Sequence, residues 1–339
     1  MQQKKQMPAF FRSPGFITLL IFAALLIVTS IVQSNFWQPS VLKNTIISWT
    51  PLILMTMGQA IVLIAGGLDM SAGASFSFMI CLMASIMKTD DPASGVVAIL
   101  VCAVFMVIIG VLNGIAVGVF KLPPIIATFA TSYIWLGAAL LLMPSPGGQC
   151  ANWVRLFYNF ESWNGAPEFL KAFGSVIPTG VLLIAAAIVI WFFVSRSKTG
   201  RYIYAVGSNR NISFHSGINT AKIQIIAYVL NSLFIMMAAL FLVGENQSGS
   251  ARIGDPYTLQ SIASAAVGGV ALTGGTGNVY IAIAGTAIIN LVSKIIFYSG
   301  ISTDYQTILS GVILLAAISV SSIVAAVKNA RAKREVAES

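Results

Sequence analysis

The feature that most constrains this chain is a succession of apolar runs, most of them about 18 or more residues long and nearly free of charge. A run of that length crosses about 30 Å of hydrocarbon as an α-helix. The spans are Phe16–Gln33, Thr45–Ala65, Ala72–Met87, Gly95–Gly118, Pro124–Met143, Val176–Val194, Ile223–Val243, Leu259–Leu272, Val279–Phe297 and Gln306–Val327. The eighth is short and bounded by glycine, the mark of a broken or tilted span. The expected fold is therefore all-α and polytopic: one transmembrane domain over residues 1–339, about ten helices, both termini cytoplasmic.

Composition supports this reading and removes others. With 57% hydrophobic and 9% charged residues and a mean hydropathy of +0.89, a soluble globular domain is excluded. The net charge of +9 suggests nucleic acid only until the basic residues are located: they lie between spans and at the tail. Cys81 and Cys102 fall in spans and Cys150 stands alone in a polar loop, so no disulfide framework is implied. Lys4, Lys5 and Arg12 precede the first apolar run as in a signal peptide. No small-residue cleavage site follows and further spans do, so the run reads as a retained first helix.

Charge sets the orientation. With residues 1–15 inside, the cytoplasmic face receives Lys4, Lys5, Arg12, Lys121, Arg196, Lys198, Arg201, Arg210, Lys222, Lys328, Arg331, Lys333 and Arg334, which is 13 of 19 basic residues. It receives Asp69, Glu335 and Glu338 of the ten acids. This is the positive-inside bias, and inverting the chain reverses it. The loop 144–175 is then outside; its Trp153, Tyr158 and Trp163 suit interfacial anchors or a docking surface for an external protein. Residues 328–339 form a cytoplasmic tail.

Ile64–Gly73 (IAGGLDMSAG) and Ala266–Gly275 (AVGGVALTGG) hint at an internal repeat. They pair Gly66 with Gly268, Gly67 with Gly269, Ser71 with Thr273 and Gly73 with Gly275, as in two similar halves of a transporter.

The missing chemistry is as informative. No phosphate loop is present; the nearest run, GGTGN at Gly274–Asn278, lacks the lysine. One histidine, His215, rules out a histidine dyad within the membrane, and no Cys/His cluster has metal-ligand spacing. The chain reads as no enzyme, with no cofactor of its own. Ionisable groups at the spans are Asp69 and Lys294, a poor proton relay. Asp69 or Ser71 is expected to cap the following helix, with a proton or substrate role for Asp69 as the alternative. Lys294 is expected to snorkel outward or pair with Asp304. Gly110, Gly114 and Gly118 form a G-x-x-x-G-x-x-x-G series, the pattern of close helix packing.

The one long basic segment between apolar blocks runs over residues 195–222 and contains no acid. Within it Asn209–Ser216 (NRNISFHS) predicts a turn or two of helix ended by Gly217 in the left-handed conformation. Ile212 and Phe214 would then be apolar residues exposed in a cytoplasmic loop. Two readings follow: a basic loop on the membrane surface, or a docking helix for a soluble partner.

Four ordered segments carry a family resemblance across nearly the whole chain. They are GQAIVLIAGGLDMSAG (Gly58–Gly73), GVLNGIAVGVFKLPPIIATFAT (Gly110–Thr131), TGRYIYAVGSNRNISFHSGIN (Thr199–Asn219) and SAAVGGVALTGGTGN (Ser264–Asn278). In these the chain resembles the permease subunits of bacterial ABC importers of the ribose, xylose and galactose type. The resemblance implies a non-catalytic, multi-pass subunit of the inner membrane that moves a small polar solute, a monosaccharide above all, inward. It implies a second permease subunit, identical or paralogous, an external solute-binding protein, and a cytoplasmic ATPase with two nucleotide-binding halves that holds the ATP and magnesium. Arg201, Asn209, Arg210, Ile212, Phe214, His215, Ser216 and Gly217 would form the coupling segment. Gly66, Gly67, Asp69, Ser71 and Gly73, with Gly268, Gly269, Thr273, Gly274 and Gly275, would be structural elements near the gate. The family commonly carries small and acidic residues before S-G-I-N, where this chain has Arg210 to His215. An ion-gradient-driven transporter and a membrane interaction protein without transport are the rival readings.

Overall fold

The computed structural model describes residues 14–158, 167, 168, 174, 178–300, 305, 308, 311 and 312. Among them the chain is helical: α1 (Pro14–Val32), α2 (Pro39–Ile64), α3 (Ala72–Ile86), α4 (Pro92–Gly118), α5 (Pro124–Leu142), α6 (Asn152–Tyr158), α7 (Gly180–Arg196), α8 (Lys198–Ser208), α9 (Arg210–His215), α10 (Thr220–Asn246), α11 (Tyr257–Val267) and α12 (Val279–Tyr298). Nine of the ten expected spans thus coincide with helices. Most of the tenth, Gln306–Val327, with the tail 328–339, the segment 1–13, Asp304 and much of the loop 144–175, lies outside the described residues.

By length and apolarity, α2, α4, α5, α10 and α12 can cross a membrane; α7 with α8 makes a sixth if that bent pair counts as one span. The count of ten is therefore larger than the described helices support. α3 is only 15 residues long, about 22 Å at 1.5 Å per residue, and α11 has 11 residues.

The centre of the bundle is α2 and α10. α2 buries every residue from Thr50 to Ile64. α10 lies against both α2 and α4. The glycine series explains the second contact. A Cβ at Gly110 would stand 2.6 Å from Cα of Val229, one at Gly114 2.5 Å from Cα of Ile225, and one at Gly118 2.9 Å from the carbonyl of Ala221. Hydrogen at these positions lets the backbones touch, the small-residue mode of packing helices in lipid. α1, α4, α5 and α7 instead expose broad apolar faces, among them Leu100, Val104, Ile126, Leu141 and Phe193. Apolar residues lining an outer face are what a bilayer requires.

Hydrogen bonds sort the connections into two ends. At one end Gly147 and Gly249 pair, Gln149 N donates to Ala84 O, and Trp153 Nε1 donates to Pro92 O. At the other end the last turns of α2 and α4 meet α8, α9 and the loop after α11. Cys150, expected in an open polar loop, is buried. Lys294 Nζ donates to Thr45 Oγ1 and lies 5.0 Å from the ring of Phe36.

Candidate functional site

The basic segment contains more helix than its sequence suggests. Ser197 caps α8 by accepting from Gly200 N at 3.3 Å, and α8 turns 77° away from α7. Gly200, Ile203 and Val206 face inward at three-residue spacing, while Lys198, Arg201 and Tyr202 stay exposed. That amphipathic stripe is masked in the sequence by the basic residues in and around it.

α9 follows as expected. Asn209 Oδ1 accepts from Ile212 N at 3.0 Å. Gly217, at φ +81°, closes the helix: its N–H donates to Phe214 O and that of Ile218 to Ser213 O. Ser213 alone is buried; Asn209, Ile212, Phe214, His215, Ser216 and Gly217 are exposed, Ile212 at 65% and Phe214 at 64%. Arg201 is exposed as well. Arg210 differs from its neighbours. Its guanidinium donates to the carbonyls of Val117 and Gly118, the open C-terminal end of α4. A cation there satisfies carbonyls left without helical partners.

Behind α8 the chain is packed backbone on backbone. Gly275 N donates to Ile64 O at 2.8 Å. A Cβ at Gly207 would fall on that same carbonyl, and one at Gly274 would stand 2.8 Å from Cα of Gly66. Side chains would force these three strands of backbone apart.

The elbow between α2 and α3, residues 65–71, holds the most concentrated buried polar chemistry. Asp69 is 1% exposed. Its Oδ1 accepts from Ser71 N at 2.8 Å and Ser71 Oγ at 2.6 Å, and its Oδ2 accepts from Asn231 Nδ2 at 2.7 Å. Asn113 Nδ2 donates to Ser71 Oγ at 2.8 Å, and Thr131 Oγ1 donates to Asn113 Oδ1 at 2.8 Å. Met70 N donates to Thr128 Oγ1 at 2.8 Å. Tyr228 OH donates to Leu68 O at 3.0 Å, and Gln224 Nε2 donates to Ala65 O at 2.6 Å. Among the described residues no lysine or arginine forms an ion pair with Asp69. The carboxyl group is held by hydrogen bonds from neutral groups.

The expected capping of α3 is corrected by this geometry. Ser71 is the N-cap residue, yet its side chain makes no capping bond. Asp69 accepts from Ser71 itself, two residues on, which shapes the elbow rather than the helix. Gln224, Tyr228 and Asn231 were missed from the sequence. They stand at i, i+4 and i+7 on α10, one stripe of one face, and a polar stripe inside an apolar helix was the available signal.

The repeat survives with a changed register. α2 ends with Gly67 N donating to Val62 O and Gly66 N to Leu63 O; α11 ends with Val270 N donating to Ala265 O and Gly269 N to Ala266 O. Gly66 (φ +78°) therefore corresponds to Gly269 (φ +82°), not Gly268. Beyond this turn the halves diverge. Gly73 lies in α3, but Gly275 remains in a loop with φ +74°. Ser71 is buried and Thr273 exposed.

Apolar helices of spanning length, a buried polar elbow and a basic surface segment define a multi-pass membrane protein. Residues 41–318 match the family described as branched-chain amino acid transport system / permease component, and the chain belongs to that family. It is 28% identical over 295 residues to the ribose import permease protein RbsC of Bacillus subtilis (strain 168), covering 87% of this chain and 88% of that one. To RbsC of Escherichia coli (strain K12) it is 27% identical over 308 residues, covering 90% and 92%. To the galactose/methyl galactoside import permease protein MglC of the same strain it is 26% identical over 332 residues, covering 94% and 97%. No solved structure matches the chain. The chain is thus the permease component of a transport system and resides in the bacterial plasma (inner) membrane.

Proposed function

We propose that this chain carries a monosaccharide inward, driven by ATP hydrolysed on a separate ATPase subunit. The observation that supports it best is α9: a capped helix presenting Ile212 and Phe214, two exposed apolar residues, from a surface otherwise basic. Apolar residues on a polar surface mark a docking site. The names of the relatives favour ribose or galactose over the amino acids named in the family's description.

In this reading α9 and its flanks, Arg201 and Asn209 to Gly217, sit against the ATPase. Its closure on ATP pushes α9, and the spans alternate between outward and inward access. Ten spans with both termini cytoplasmic, a second permease subunit and an external solute-binding protein complete the assembly. Asn211 to His215 then dock in place of the commoner acidic sequence, with Arg210 fixing α9 to α4 rather than reaching the ATPase.

Co-purification tests this. A two-domain ATPase should accompany the native chain from gently solubilised membranes and be lost with Ile212→Glu/Phe214→Glu. An ATPase retained by that variant moves the docking site elsewhere; no ATPase on the native chain removes the ATP-driven reading.

A further inference from the structure

We infer that the elbow 65–71 is the joint that transmits movement of the coupling segment to the transport helices, and that Asp69 is its pin. This rests on the importer reading above. Asp69 is a positioning residue here: it is buried and acts through Asn231 and Ser71.

Three observations carry the inference. First, α8, which leads directly into α9, ends on the elbow without intervening side chains. Gly207 lies on Ile64 O, Gly66 lies beside Gly207, and Gly275 N is bonded to Ile64 O. Backbone in direct contact passes on a displacement that a layer of rotatable side chains would absorb. Second, five of the seven elbow residues are tied to helices other than their own. Ala65, Leu68 and Asp69 are held by Gln224, Tyr228 and Asn231 of α10, Met70 by Thr128 of α5, and Ser71 by Asn113 of α4. Third, the tie reaches deep. Asn231 lies eleven residues beyond Thr220 at the start of α10, about 16 Å along the helix. A push on α8 is therefore delivered near the middle of α10, and through Ser71 and Asn113 to α4 and α5.

A carboxylate suits this role. It accepts from both sides at once, so Ser71 and Asn231 are fixed relative to each other by one rigid group. Stabilisation alone does not call for a buried charge, since an apolar elbow would pack at least as well.

The test uses the full complex in proteoliposomes, with ATP hydrolysis and uptake of radiolabelled D-ribose and D-galactose measured on the same vesicles. In Asn231→Leu, ATP hydrolysis is expected to stay within about twofold while solute moved per ATP falls at least tenfold. The exchanged pair Asp69→Asn/Asn231→Asp restores a carboxylate–amide link in reverse and should recover at least half of that ratio. Tyr228→Phe, which frees Leu68 without stranding a charge, should lower the ratio about threefold and decides the matter if Asn231→Leu does not assemble. An unchanged ratio in Asn231→Leu or Tyr228→Phe overturns the inference. So does a parallel loss of hydrolysis and uptake that the exchanged pair does not rescue. Failure of the importer reading is distinguishable, because the native complex would then show no ATP-driven uptake at all.

Discussion

Gly114→Ala tests the packing that brings Asn113 to the elbow. A Cβ at residue 114 would stand 2.5 Å from Cα of Ile225 and 3.1 Å from its Cβ. Carbon atoms rest at about 3.5–4.0 Å, so α4 and α10 must part by roughly 1 Å. Overpacking of this kind costs about 1–3 kcal/mol. Alanine returns up to about 1 kcal/mol through helix propensity. The net expectation is a loss of about 1–2 kcal/mol, a factor of roughly 5–30 in the folded-to-unfolded ratio. Gly137→Ala is the matched control: it lies in α5, and its Cβ would meet nothing within 4 Å. It should be neutral or stabilising by up to about 1 kcal/mol. Denaturant titration in detergent micelles, followed by tryptophan fluorescence, measures both. Equal stability of the two variants would refute direct backbone contact between α4 and α10.

Other consequences are open to simple assays. Asn209→Ala removes the cap of α9 and should cost about 1 kcal/mol locally, weakening ATPase retention roughly fivefold, with Asn209→Asp restoring it. Arg210→Ala strands the carbonyls of Val117 and Gly118 and should lower stability by about 1–3 kcal/mol, read by the same titration, while a binding assay on the folded fraction finds ATPase affinity unchanged. Burial pushes the Cys150 thiol up to about 11, against the weaker opposing effect of Arg155. In a Cys81→Ala/Cys102→Ala background, labelling by a hydrophilic maleimide at pH 8 should run roughly two hundredfold slower than at a free cysteine. The rate should climb about tenfold per pH unit up to pH 10, because the thiolate is the reacting form; a plateau near pH 9 would contradict the burial.

Much of the fold could be read because lipid is a simple solvent. Nine apolar runs became helices, since apolarity over about 18 residues leaves few alternatives. The α4 glycines were legible for a related reason: hydrogen at every fourth position has one obvious use. α9 was legible from its Gly217 and its two misplaced apolar residues. α8 was not, because the helical spacing of Ile203 and Val206 was hidden between Lys198, Arg201 and two glycines. The repeat slipped by one residue because adjacent glycines offer no register; the hydrogen bonds of Gly66 and Gly269 supply it. The elbow was half seen. Asp69 drew notice as a charge at the end of a span, but the elbow's partners on α4, α5 and α10 are 42 or more residues away in sequence. No local pattern joins them.

The energy source is the central claim, and uptake into proteoliposomes tests it most directly. The purified permease, its co-purifying ATPase and an external solute-binding protein would be reconstituted and supplied with D-ribose or D-galactose. Uptake that requires ATP, persists with protonophore and sodium ionophore present, and is abolished by Ile212→Glu/Phe214→Glu is the predicted result. Uptake that ignores ATP and collapses when the ion gradients are dissipated would contradict it and make the chain a gradient-driven transporter.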